Sequence, residues 1–172
     1  MTLFLDRDDT LVHDDGYMSR PEQIRLLPGV GEALRRAADA GCGLYLVTNQ
    51  SGIGRGLYTL AEAEACNDRL IELLNVEFSG ICIAPEMPDV PSKYRKPSPT
   101  FILEMIARDA LDPAACFMIG DKISDLECGI NAGITPILVG SRPDAIEFAK
   151  KHNIHHFSSV VEFVDEFVFH SM

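Results

Sequence analysis

Phe4-Leu5-Asp6-Arg7-Asp8-Asp9-Thr10-Leu11 joins a short apolar strand candidate, Leu3–Leu5, to two carboxylates spaced at i and i+2. In extended backbone that spacing puts Asp6 and Asp8 on one side of the chain. Such a pair can divide labour: one carboxylate attacks phosphorus, while the other, kept protonated, gives its proton to a leaving alcohol and later activates water. The same residues also read as a polar turn, or as a helix N-cap supplied by Asp9 and Thr10. The stretch by itself leaves both readings open.

Working outward, short apolar runs alternate with longer stretches of helical period, the pattern of a parallel sheet with crossover helices. Strand candidates are Leu3–Leu5, Gly43–Thr48, Gly80–Ala84, Cys116–Ile119 and Thr135–Val139. Helix candidates are Val30–Ala40, Leu60–Asn75, Thr100–Asp109, Ser124–Ala132, Asp144–Lys151 and Ser159–Phe169, punctuated by Gly29, Gly41, Pro99 and Gly133. The apolar stripe with Leu70, Leu73 and Leu74 reads as core, and the acidic run Glu162 to Glu166 as the wet face of an amphipathic helix. The expected fold class is α/β, a central parallel sheet flanked by helices in three layers. No linker or repeat divides residues 1–172, which are expected to form a single domain.

The unusual polar residues nearly all follow a strand candidate, the edge at which open parallel sheets bind ligands. After the second strand comes Thr48-Asn49-Gln50-Ser51-Gly52-Ile53-Gly54-Arg55-Gly56. A hydroxyl, two amides and turning glycines can wrap an anion there, or simply form a flexible connection. Arg95-Lys96-Pro97 sets two cations before a helix in an acidic protein. A fixed ammonium can neutralise a nucleophile and a phosphoryl group together, whereas most Arg-Lys pairs are merely solvated. Gly120-Asp121-Lys122-Ile123-Ser124-Asp125 again places carboxylates at a strand end, suited to hard magnesium or, for Asp125, to capping a helix.

These four motifs, in this order from residue 6 to residue 125, resemble the haloacid dehalogenase superfamily. The resemblance implies Asp6 as nucleophile and Asp8 as general acid/base, with Thr48 bonding the transferring phosphoryl group and Lys96 stabilising the intermediate. It implies a magnesium site made by Asp6, Asp8 through its main-chain carbonyl, and Asp121, with Asp125 in support. Asn49, Gln50, Arg55 and Arg95 are the expected substrate-binding residues. True dehalogenases generally lack the second carboxylate, so Asp8 points to phosphoryl transfer.

The wording Asp6-Arg7-Asp8 and Thr48 to Gly56 looks like the heptose bisphosphate and histidinol phosphate phosphatases of subfamily IIIA, as do Asp14-Asp15-Gly16-Tyr17 and Leu27-Pro28-Gly29-Val30. The gaps from Thr10 to Thr48 and from Thr48 to Lys96 leave no room for a large cap. The rim of an open site is therefore expected from residues 13–20, where His13 is a loop histidine, from the loop after Thr48, and from residues 84–94. Those relatives usually carry a zinc loop before Arg-Lys-Pro. Here its ligand places hold Ala84-Pro85-Glu86 and Ser92-Lys93-Tyr94, so no structural zinc is expected, and Cys82 cannot replace the set.

Composition bounds the partners. With 15 Lys and Arg against 26 Asp and Glu, the net charge of -11 disfavours nucleic acid. A small phosphorylated metabolite is the expected partner, with no membrane, since no apolar run reaches the roughly 18 residues of a span. Five scattered cysteines without a Cys-x-x-Cys pair read as reduced thiols of a cytoplasmic protein. Two alternatives stay open. A polynucleotide 3′-phosphatase would share the Thr-Asn-Gln loop ending in Gly-Arg-Gly, and a non-catalytic binding protein would keep the fold. The oligomeric state is open too.

Overall fold

The computed structural model describes residues 1–168. Its centre is β1 (Thr2–Leu5), buried at all four positions. An apolar run this short and this enclosed fits a strand covered on both faces. β1 pairs in parallel with β2 (Gly43–Asn49) on one side and with β4 (Cys116–Gly120) on the other. With β3 (Gly80–Ala84), β5 (Thr135–Val139) and β6 (His155–Phe157) the sheet has six parallel strands in the order β3-β2-β1-β4-β5-β6. All five expected strands are present, and β6 was missed.

Alternation along the strands feeds two cores. Leu3, Leu5, Leu44, Leu46, Phe117 and Ile119 face α1 (Val30–Asp39), α3 (Leu60–Leu74) and the C-terminal segment. Phe4, Tyr45, Val47 and Met118 face α4 (Thr100–Asp109) and α5 (Ile123–Ala132). α6 (Pro143–His152) extends this layer through Ala145 and Ala149 against Leu126 and Leu138. Helix, sheet and helix thus form the three expected layers.

Local chemistry explains the helix bounds. α1 buries Val30, Ala33, Leu34 and Ala37, an i, i+3, i+4, i+7 stripe. α3 opens on a reciprocal cap, in which Glu62 N donates to Thr59 Oγ1 and Thr59 N to Glu62 Oε2. Losing such a cap costs about 1 kcal/mol. The Gly-rich stretch after β2, read as loop, contains a single helical turn, α2 (Ser51–Gly54). The helix expected at Ser159–Phe169 is α7 (Val160–Phe163) continued by a wider turn, Val164–Val168. Phe169 lies outside the described residues. No helix among them is long and apolar enough to cross a membrane.

Candidate active site

The register brings the motifs together. Leu5 lies level with Leu46 and Ile119, so Asp6, Thr48 and Asp121 all emerge at the carboxyl edge of the three central strands. The order reverses around β1, where β2 and β4 diverge, and a crevice opens there. Asp6 N donates to Ile119 O at 2.9 Å, which fixes the start of the loop.

At the bottom of the crevice Asp6 is 4% exposed and Lys96 3%. Lys96 Nζ lies 2.6 Å from Asp6 Oδ1 and 2.7 Å from Asp125 Oδ1, and it donates to Val47 O at 2.7 Å. Burial pulls down the pKa of this ammonium, but Asp125 and Asp6 outweigh it and hold the pKa above the usual lysine value. Asn49 grips the Lys96 main chain from both ends: its Oδ1 accepts from Lys96 N at 3.0 Å and its Nδ2 donates to Lys96 O at 3.1 Å. Asn49 therefore places Lys96 as well as lining the crevice.

Beside Lys96, one carboxylate oxygen each from Asp6, Asp121 and Asp125 lie within 4.8 Å of one another. Burial drives the Asp121 carboxyl up to about 7, aided by the charges of Asp6 and Asp125 against the pull of Lys122. Burial raises Asp125 too, and Lys96 opposes it. Asp121 Oδ1 is buried without a hydrogen bond, and Lys122 Nζ stands 4.0 Å away from it. Three hard oxygens with one unmet acceptor suit a divalent cation such as magnesium. The other Asp121 oxygen accepts from Arg142 Nε, and Arg142 also donates to Asp9 Oδ2 at 2.9 Å.

Asp8 stands apart from that cluster. Its carboxylate accepts from Arg7 Nε at 2.8 Å and from Gln50 Nε2 at 2.8 Å. Gln50 Nε2 also donates to Thr48 Oγ1 at 2.8 Å, so the Thr48 hydroxyl accepts here and keeps its own hydrogen for another partner. Asp8, Asn49, Gln50, Tyr17, Arg95 and Lys122 line a cavity of about 290 Å³. Arg95 donates to Glu86 O at 2.9 Å, and burial lowers its pKa. Arg55 is exposed and is not among the residues lining this cavity. Where a zinc loop would begin and end, Ser92 Oγ donates to Glu86 Oε2 at 2.8 Å, tying the two ends of the segment.

Sequence reasoning passed over Tyr58, Asn67 and Arg142 and gave Arg7 and Lys122 no role. Asn67 carried a signal: it lies on the face of α3 that buries Ala63, Cys66 and Leu70, where an amide needs a partner. Arg142, 133 residues from Asp9, carried none.

Comparison with known proteins places this arrangement. A family model described as HAD-hydrolase-like matches residues 93–162. A protein of Chlorobaculum tepidum named D-glycero-D-manno-heptose-1,7-bisphosphate 7-phosphatase is 38% identical over 168 residues, covering 88% of this chain and 84% of that one. The chain belongs to the haloacid dehalogenase superfamily. A Helicobacter pylori protein named D-glycero-beta-D-manno-heptose-1,7-bisphosphate 7-phosphatase is 40% identical over 136 residues, covering 77% of this chain and 79% of its own. The crystal structure of the D,D-heptose 1,7-bisphosphate phosphatase of B. bronchiseptica, complexed with magnesium and phosphate, superposes with a TM-score of 0.87 at 27% identity, over 97% of both chains. This haloacid dehalogenase superfamily member is accordingly a phosphatase.

Proposed function

We propose that the chain is a magnesium-dependent phosphomonoesterase acting on a small phosphorylated metabolite, with the sugar phosphate heptose 1,7-bisphosphate the first candidate and histidinol phosphate the next. The observation that carries this reading is Lys96 Nζ bridging Asp6 and Asp125 beside the unmet Asp121 oxygen. The relatives named for heptose bisphosphate support the substrate class. A single cytoplasmic domain without structural zinc, its thiols reduced, completes the proposal.

In this reading an Asp6 oxygen attacks phosphorus in line with the ester oxygen. The phosphorus–oxygen bond breaks, its electron pair leaves with the alcohol, and Asp8 gives that oxygen a proton. Asp6 now carries the phosphoryl group as an acyl phosphate. Asp8 then takes a proton from the water that attacks phosphorus, and phosphate leaves as the Asp6 carboxylate is restored. Lys96 and the free hydrogen of Thr48 meet the phosphoryl oxygens as charge builds on them. Asp6, Asp121 and Asp125, with the Asp8 main-chain carbonyl, would hold magnesium, which supplies further charge neutralisation. Arg95 and, farther out, Arg55 face the rest of the substrate; Asn49 and Gln50 act largely by holding Lys96 and Asp8.

The test is phosphate release from a panel of heptose 1,7-bisphosphate, histidinol phosphate, hexose phosphates and a 3′-phosphorylated oligonucleotide, with and without magnesium. Turnover of a sugar phosphate that needs magnesium and disappears in Asp6→Asn is expected. Unchanged turnover in Asp6→Asn sinks the nucleophile, and preference for the oligonucleotide sinks the substrate class.

A further inference from the structure

Arg7 heads the largest fully buried side chains of the described structure, an odd place for a guanidinium. Taking that charge out of water is costly unless its donors are met with good geometry. Its side-chain hydrogen bonds, among the described residues, go to Asp8 and Asn67. Nε donates to Asp8 Oδ1 at 2.8 Å and Nη2 to Asp8 Oδ2 at 3.3 Å, so the planar fork holds both carboxylate oxygens. On the far side Nη1 donates to Asn67 Oδ1 at 3.0 Å. Asn67 is 2% exposed on the core face of α3, so the fork is anchored to a rigid element of the scaffold.

A second arm reaches Asp8 from the segment that follows β2. Tyr58 Oη donates to Gln50 Oε1 at 2.6 Å, and this turns the amide NH2 toward Asp8 and Thr48. Packing against α2 fixes Tyr58: a Cβ at Gly52 would lie 2.1 Å from the Tyr58 ring. Asp8 is thereby held from two directions while it still lines the cavity.

We infer that Arg7, anchored on Asn67, is a positioning residue that aims the Asp8 carboxyl at the leaving-group oxygen, and that Tyr58 does the same through Gln50. This rests on the reading of Asp8 as acid and base given above. Proton donation matters most when the leaving group is basic, and a carboxyl swung off line loses that help first. A side chain serving the fold alone has no reason to distinguish leaving groups.

The experiment is rapid-quench measurement of phosphoenzyme formation with phenyl phosphate, a basic leaving group, and with p-nitrophenyl phosphate, an activated one. Arg7→Met, near in shape and uncharged, is expected to slow the first about 10²-fold and the second less than about tenfold, with KM within about threefold. Arg7→Lys, which keeps the charge and loses the fork, is expected to fall between. Equal losses on both substrates overturn the inference. Should circular dichroism show that Arg7→Met does not fold, Asn67→Ala and Tyr58→Phe decide by the same ratio, and a ratio unchanged in both overturns it. Asp8→Asn separates the two levels: no leaving-group dependence there refutes the acid role itself, whereas dependence there but not in the Arg7, Asn67 or Tyr58 variants refutes only the positioning.

Discussion

Lys96 Nζ sits 2.6 Å from Asp6 Oδ1, with the two side chains 2% and 5% exposed. Asp125 flanks the same ammonium at 2.7 Å. One cation thus answers two buried carboxylates, with Asp121 close by. Removing one partner of such a cluster leaves charge without solvent or counterion. Lys96→Met is expected to cost the metal-free protein roughly 3–5 kcal/mol and to abolish phosphate release. Urea melts in chelator, repeated with magnesium, check it: the ion should recover part of the loss, and a variant as stable as the parent in chelator would show that the carboxylates do not need the ammonium.

The pH dependence of stability follows from Asp121 and Asp125. Burial above all lifts Asp121 to about 7 and raises Asp125. A carboxyl whose pKa is higher in the folded chain holds a proton that the unfolded chain has already released. Its favourable contribution is complete below the unfolded value near 3.8 and is lost as pH climbs through about 7. The metal-free protein should therefore be less stable at about pH 8 than at about pH 5.5, by roughly 1–3 kcal/mol. Thermal melts in chelator at the two pH values test this, and saturating magnesium should erase the difference. A melting point that rises with pH in chelator contradicts it.

Thr48 accepts from Gln50 and keeps one hydrogen to give. If that hydrogen meets a phosphoryl oxygen only as charge builds, Thr48→Val should lower kcat on the order of 10²-fold and leave KM within a few fold. Thr48→Ser should keep most of the rate. Steady-state kinetics on both variants decide it; a rise in KM at constant kcat would assign Thr48 to ground-state binding instead.

The fold was legible where burial is uniform. β1, β2 and β4 announce themselves because their residues are mostly apolar and almost all buried, and the helices α1 and α3 because their stripes keep period. β6 did not, since two of its three residues are exposed histidines and it pairs at the sheet edge with β5. α2 was hidden by glycines that signal a loop as readily as a turn of helix. In the site, the strand-end residues Asp6, Thr48 and Asp121 were readable because parallel register aligns strand ends. What holds Asp8 beside them was not, because it depends on contacts such as Arg7 with Asn67, 60 residues apart, that no local pattern encodes.

Gly120 ends β4 where the Asp125 carboxylate folds back over it. A Cβ there would lie 2.3 Å from Asp125 Oδ2, the oxygen that accepts from Lys122 N at 3.0 Å. Asp125 cannot withdraw without leaving Lys96 half-partnered. Gly120→Ala is expected to destabilise by at least about 1–3 kcal/mol through overpacking and to remove magnesium-induced stabilisation. Melting with and without the ion tests both parts, and a variant that keeps the full magnesium shift would mean that Asp125 is dispensable to the metal site.

Arg142 joins Asp9 to Asp121 from a position 42% exposed to solvent. Its guanidinium holds one Asp121 oxygen and leaves the other, buried and without a hydrogen bond, as the one suited to a cation. A dication arriving there meets the positive charge of Arg142 nearby. Solvent screens that charge, so its repulsion is worth about 1 kcal/mol or less. Arg142→Ala should accordingly tighten magnesium binding by up to about fivefold, lowering the concentration that gives half-maximal thermal stabilisation. The opposite shift, a weaker site in Arg142→Ala, would show that the guanidinium orients Asp121 for the ion more than it repels it.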